Sequence, residues 1–160
     1  MESPVGPLLL AGDERGLLRV SFGTVSVGGG KSEHFPKTGW TKDETPFREI
    51  TRQLHAYFDG RLKKFDVTLV LLGTDFQVKV WQALRSIPYG ETISYLELAK
   101  RIGNAKAVRA VGMANGANPI PIIVPCHRVI GSNGNLTGFG GGLENKAKLL
   151  ALESKQLSLL

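Results

Sequence analysis

The spacing of apolar positions changes along this chain. Two short apolar runs, 8–11 and 17–22, flank Gly12-Asp13-Glu14-Arg15-Gly16. Runs of that length around a glycine-bounded polar turn predict a β-hairpin. A weakly patterned stretch follows, with Gly28-Gly29-Gly30 and Pro36, and reads as a long connection. Thr45-Pro46 then opens a helix. Thr45 is a capping type, Pro46 suits the first turn, and Glu49 favours the positive end. Gly60 should end that helix, and β-prone residues 65–72 predict a strand closing the first unit.

From Gly73 onward the spacing becomes helical. Thr74-Asp75 starts a helix whose Phe76, Val80, Ala83, Leu84 and Ile87 share one face, and Pro88-Tyr89-Gly90 ends it. Ser94 and Glu97 then form the signature of a capping box, in which each side chain satisfies the other's end of the first turn. Leu98, Ala99 and Ile102 give this short helix its buried side, and Gly103 stops it. A further helix is expected over 107–115. Its Ala107, Ala110 and Ala114 recur at helical spacing, so a backbone face without bulk could approach another surface. Gly112 costs about 1 kcal/mol of helix stability relative to alanine, which calls for a contact or packing reason. Arg109 is the one long cation on this helix. The pair makes a helix-turn-helix candidate. A last helix near 144–153 should turn Leu143, Ala147 and Leu150 to one side. The expected class is α+β: a small sheet with a helix over 1–73, and a mainly helical unit over 74–160.

Charge sharpens this division. The 160 residues carry a formal +6. Residues 1–76 hold ten basic and ten acidic side chains, whereas 77–128 hold seven basic and two acidic. Concentrated positive charge suits a polyanion such as nucleic acid. The apolar runs are too short to span a bilayer, and Met1-Glu2-Ser3-Pro4 has no secretory pattern. One cysteine cannot form an internal disulfide, so a reducing, cytoplasmic setting is expected. Gly30-Lys31-Ser32 resembles the tail of a phosphate loop, but Val25 stands where its first glycine belongs, so it reads as an ordinary loop. His34 and His55 lie far from Cys126-His127, so no metal is expected.

Cys126 sits in Asn118-Pro119-Ile120-Pro121-Ile122-Ile123-Val124-Pro125-Cys126-His127-Arg128. Three prolines in seven residues exclude a helix and predict a stiff, extended chain. Stiffness suits a group that must be held in place. A lone cysteine is commonly an inert small apolar residue. Here His127 and Arg128 follow directly, and positive neighbours favour the nucleophilic thiolate. Successive extended residues point to opposite sides. Direct contact between Cys126 and His127 therefore fits poorly, and a bridging water or a local turn would reconcile the pair.

Pro125-Cys126-His127-Arg128-Val129 resembles the active-site motif of the O6-alkylguanine-DNA alkyltransferases. The likeness extends through Tyr89-Gly90-Glu91-Thr92-Ile93-Ser94-Tyr95, Gly103-Asn104-Ala105-Lys106-Ala107-Val108-Arg109-Ala110-Val111-Gly112, Asn118-Pro119, the glycine-rich 137–142 and the last helix. The first half is similar only loosely, through Ser3-Pro4-Val5-Gly6 and its β-then-helix order, which in the family is a ribonuclease H-like domain. The resemblance implies a DNA repair protein that flips O6-alkylguanine, with O4-alkylthymine as a second candidate, and moves its alkyl group irreversibly to Cys126. It implies His127 as a base acting through water and Glu153 as the residue that orients it. Asn118 would support the turn, and Tyr95 would meet the leaving base. Backbone groups at Cys126, Val129 and Gly140 would read the guanine, beside Phe139. Arg109 would enter the duplex from a helix lying in the minor groove. Leu96, Asn104, Ala107, Ala110, Gly112 and Ser132 would contact DNA. No cofactor is implied, and a monomer is expected, with room for several copies along DNA.

Two positions depart from the family pattern. Phe139 stands where some members have tyrosine, and Gly140 where some have serine, so the loop offers the base fewer hydroxyls. Three rivals weigh against this reading. A non-catalytic lesion binder would lack the cysteine. A helix-turn-helix regulator would carry more base-reading side chains than Arg109 and Asn115. A cysteine hydrolase needs direct Cys–His contact.

Overall fold

The structure is a computed structural model that describes residues 1–23 and 39–157, with side chains through 154. The loop reading of Gly30-Lys31-Ser32 lies outside the described residues. The hairpin forms as β1 (Leu8–Asp13) and β2 (Gly16–Phe22), antiparallel from Leu8 opposite Phe22 to Asp13 opposite Gly16. Leu8, Ala11, Leu17 and Val20 turn inward. Helix α1 (Arg48–Phe58) buries Gln53, Leu54, Ala56 and Tyr57, and Gly60 follows at φ 75°.

Two expectations for this region fail. Thr45 does not cap α1: it begins a separate 3-10 turn, Thr45–Phe47, and its own N–H is held by Asp43 Oδ1 at 2.9 Å. Residues 65–72 do not form a strand. Among the described residues of this stretch only Leu69 forms a bridge, to Leu17 in parallel, with Leu17 N donating to Thr68 O and Val70 N to Leu17 O, both at 2.9 Å. The Gln53 amide takes both backbone groups of Asp66 at 2.8 Å and so occupies bonds that a ladder would use. At Gly16 a Cβ would lie 2.5 Å from Thr68 O, so only glycine admits this approach.

Helix α2 (Asp75–Leu84) starts on a complete Thr74–Gln77 capping box. It buries Val80, Trp81 and Leu84, and the Trp81 indole N–H donates to Ala114 O at 2.8 Å. Gly73 owes its identity to that ring, since a Cβ there would stand 2.6 Å from it. Strand β3 (Ile93–Ser94) leads into α3 (Tyr95–Arg101). Ser94 Oγ caps Glu97 N at 3.0 Å, but the Glu97 carboxylate pairs with Arg101 at 3.3 Å, so half of the expected box forms. Helix α4 (Val108–Gly116) follows, then β4 (Val129–Ile130) and α5 (Leu143–Leu157).

The α5 face is not the expected one. Leu143 is exposed, Ala147 is exposed and Leu150 half-buried; the inward stripe is Lys146, Leu149 and Glu153. Polar residues win the buried side because the core offers them partners, described below. The buried apolar side chains of both halves form one contiguous cluster, and the class is mixed α and β as expected. Among the described residues no helix is long and apolar enough to cross a membrane.

Candidate active site

Strands β3 and β4 pair in parallel, Ile93 with Val129 and Ser94 with Ile130. This pairing brings the start of α3, with Tyr95, beside the segment that follows Cys126. The proline-rich stretch ahead of Cys126 is stapled from within. Asn118 Nδ2 donates to Val124 O at 2.8 Å, and Ile120 N donates to Asn118 Oδ1 at 2.9 Å. Pro119 O accepts Val20 N at 3.0 Å, which ties the stretch to the hairpin. Between these anchors Ile122 takes φ 75°, a conformation costing a β-branched residue about 1–3 kcal/mol. Its full burial helps hold it there.

Cys126–Arg128 is a 3-10 turn, closed by Arg128 N donating to Pro125 O at 3.0 Å. This corrects the extended geometry expected at the cysteine. In such a turn three successive side chains fan out instead of alternating, and all three are buried here.

Burial also reverses the expectation that positive neighbours hold the sulfur as thiolate. Removal from water pushes the Cys126 thiol up to about 11, although the Asn118 amide and the Lys146 ammonium pull the other way. The Arg128 guanidinium is committed elsewhere, to both oxygens of Glu153 at 2.9 and 3.0 Å and to Ile87 O at 2.7 Å. At rest Cys126 is a neutral thiol and needs a base.

His127 has the chemistry of that base. Its Nε2 lies 2.7 Å from Glu153 Oε1, and its Nδ1 has no hydrogen-bond partner among the described residues. Burial lowers the histidine pKa, against the opposing pull of Glu153, so the ring is neutral at pH 7. Burial alone would raise the Glu153 carboxyl; hydrogen bonds from His127 and Arg128 outweigh it and bring the group to about 2. A carboxylate can only accept, so Nε2 carries the imidazole proton and Nδ1 is left as a bare lone pair. That lone pair makes no bond to the Cys126 sulfur, although the turn removes the alternation on which the sequence argument rested.

A second set of contacts is built around Thr137. Its carbonyl accepts Tyr95 OH at 3.0 Å and Lys146 Nζ at 2.8 Å. Lys146 Nζ also donates to Val129 O at 2.6 Å. Lys146 thereby links Val129 O to Thr137 O. Cys126 O accepts Val129 N and, at 3.5 Å, Asn115 Nδ2. The Phe139 ring turns to Phe22, edge-on at 5.5 Å, and Gly140 is exposed near the end of α4.

On the outer face Arg109, Ala110, Leu96, Asn104 and Ser132 are exposed, and Ala107 and Gly112 half-buried. Two features of α4 differ from expectation. Ala114 is buried beneath Trp81, so it is not part of an open small face, and Met113, 73% exposed, puts bulk on that face. A Cβ at Gly112 would meet only Tyr95, at 3.8 Å, so internal packing does not demand glycine there.

Sequence reasoning missed Lys146 and Tyr57. Lys146 had a signal: it lies seven positions before Glu153, on the same face of α5. Tyr57, whose hydroxyl donates to Glu153 Oε1 at 2.7 Å, had none, because the contact spans 96 residues of chain.

Two family models match this chain. Residues 75–155 match the family model described as 6-O-methylguanine DNA methyltransferase, DNA binding domain, and residues 1–71 match its ribonuclease-like domain. A methylated-DNA–protein-cysteine methyltransferase of Methanosarcina acetivorans is 59% identical over 152 residues, covering 95% of this chain and 94% of its own. The Mycobacterium tuberculosis protein of that name is 52% identical, covering 98% and 91%. The crystal structure of Mycobacterium tuberculosis OGT in complex with DNA superposes with a TM-score of 0.87 at 52% identity, covering 98% and 91%. An O6-methylguanine DNA methyltransferase from Methanococcus jannaschii gives 0.64 at 26% identity, covering 92% and 87%.

Proposed function

This chain belongs to the 6-O-methylguanine DNA methyltransferase family and is a methylated-DNA–protein-cysteine S-methyltransferase of DNA repair; from that premise we propose how its residues carry the reaction. His127 Nδ1 takes the Cys126 proton through an intervening water, while Glu153 holds Nε2 and stabilises the imidazolium. The sulfur attacks the saturated carbon of O6-alkylguanine in line. The S–C bond forms as the C–O6 bond breaks, and the electron pair stays on the base. Tyr95 OH, freed from Thr137 O, meets the developing negative charge. The product thioether is a poor leaving group, so each molecule reacts once.

The remaining assignments are part of the same proposal. The target atom is closed off in a stacked duplex, so the nucleotide is flipped. Arg109 fills the gap from α4, which lies in the minor groove with Ala107, Ala110 and Gly112 toward the sugar edges. Leu96, Asn104 and Ser132 contact the flanking strand. Val129 O and Cys126 O read the guanine amine, with the backbone at Gly140 and the Phe139 ring bounding the pocket. We divide the chain at Gly73, into a β-rich unit over 1–73 and a catalytic unit over 74–160. We propose a cytoplasmic monomer that can occupy neighbouring sites on DNA.

The observation that carries the reading is the buried thiol next to a histidine whose Nε2 is fixed on Glu153 and whose Nδ1 has no partner among the described residues. The test is stoichiometric. With a duplex containing O6-methylguanine in excess, repair should plateau at one lesion per protein molecule. Continued turnover, or no repair by folded protein that binds the duplex, would contradict it.

A further inference from the structure

The carboxylate of Glu153 is crowded. Oε1 accepts from three donors: Tyr57 OH at 2.7 Å, His127 Nε2 at 2.7 Å and Arg128 Nη2 at 2.9 Å. Oε2 accepts from Arg128 Nε at 3.0 Å and Gly90 N at 3.1 Å. Tyr57 and Glu153 are both buried, the one on α1 and the other on α5. We infer that Tyr57 is a positioning residue for alkyl transfer: by sharing Oε1 with His127 Nε2, its hydroxyl limits the pull of Glu153 on the imidazole and ties α1 to activation of the nucleophile. This rests on the role proposed above for His127.

The physics is competition for one oxygen. Each donor withdraws electron density from Oε1, so each bond to it weakens the others. Burial keeps the Tyr57 hydroxyl protonated, well above the ordinary tyrosine range, so it stays a donor throughout the working pH range. Its removal changes no charge. The groups that face His127 are Glu153 and Lys146 from α5, Arg128 and Cys126 from its own turn, and Tyr57 and Tyr89 around the carboxylate. Tyr57 alone among them brings a neutral hydroxyl to Oε1 from the first half of the chain. The alternative is a core aromatic that uses Glu153 only to satisfy its hydroxyl, since its ring packs on Phe58 and Phe65 at 5.3 Å and on Tyr89 at 6.1 Å.

Tyr57→Phe keeps the ring and separates the two. Without the hydroxyl, Oε1 holds the His127 proton more tightly and the imidazolium is favoured. The acid limb of the single-turnover rate should move up by about half a pH unit, slowing the reaction by about threefold on the acid side of that limb and leaving it undiminished near pH 8.5. Replacing Tyr57 by 3-fluorotyrosine, a stronger donor of nearly equal size, should move the limb down. The His127 imidazole, followed by NMR in the intact protein without DNA, should titrate in the same order. Wild-type protein that takes no methyl group fails the functional reading, and the NMR series then still decides this one. Superimposed titrations of the three folded proteins, with only thermal stability changed, would overturn the inference.

Discussion

Two regions of this molecule handle charge in opposite ways. Around Glu153 the ionic groups are sealed: Glu153, Arg128 and Lys146 are buried, and every oxygen of the carboxylate has donors. Along α3 and α4 the cations are open: Lys100, Arg101, Lys106 and Arg109 are exposed. Taking charge out of water costs several kcal/mol per ion unless geometry repays it, so the first region is rigid by necessity. An exposed cation costs nothing to keep and is available to a phosphate backbone. On the function proposed above, chemistry sits in the sealed region and recognition in the open one. Of the seven basic residues in 77–128, Arg128 is the one turned inward, so charge counting along the sequence overstates the outward excess by one.

The comparison breaks if the two regions respond alike to substitution. The largest effect should come from Glu153→Gln, which leaves Arg128 buried against a neutral group. Such a loss costs about 3–5 kcal/mol, read by urea denaturation, and alkyl transfer should be nearly abolished. An equal loss in Arg109→Ala would dissolve the distinction, since an exposed substitution should stay within about 0.5 kcal/mol.

Acid should find the same cluster. The Glu153 carboxyl lies at about 2 in the folded protein against 4.5 when unperturbed, so its contribution is complete above about pH 4.5 and is lost as pH falls through 2. His127 acts in the same direction and earlier. Its folded pKa is lowered, so below pH 6.5 the unfolded chain takes up the proton first and stability falls. Together they predict a decline starting near pH 6.5, with the Glu153 part worth about 3 kcal/mol. Denaturation curves between pH 7 and 2.5 measure it, and a flat profile would contradict the sealed cluster.

Arg109→Ala sharpens the other side. Repair of a flipped base in duplex DNA should slow about tenfold or more, while reaction with free O6-methylguanine should hold near wild type. Equal losses would remove Arg109 from any flipping role. The smallest effect concerns the 137–142 loop. Gly140→Ser narrows the exposed rim, so reaction with O6-benzylguanine should fall a few-fold relative to O6-methylguanine; an unchanged ratio would show that the loop does not set pocket width.

Much of this was legible in the residues. Helix α2 follows from Thr74, Gln77 and the period of Phe76 to Leu84, and the hairpin follows from its two runs. The Cys126 motif and Glu153 were identifiable through resemblance. The rest depended on contacts between distant segments. Lys146 and Glu153 take the inward face of α5 because Val129 O, Thr137 O, His127 and Arg128 receive them, and no periodicity rule places polar residues inside. The tendency of 65–72 toward strand lost to the Gln53 side chain. The three prolines predict an extended chain, yet it turns at Ile122-Ile123 and again at Cys126, and burial makes the sulfur a neutral thiol awaiting a base.

The central claim is that Cys126 accepts the alkyl group and that nothing else in the chain does. Intact-protein and peptide mass measurement after incubation with an O6-methylguanine duplex tests it most directly. A single added methyl on the peptide containing Cys126, absent in Cys126→Ser, is the predicted result. A methyl on another residue, or an unmodified protein after the lesion has disappeared, would contradict it.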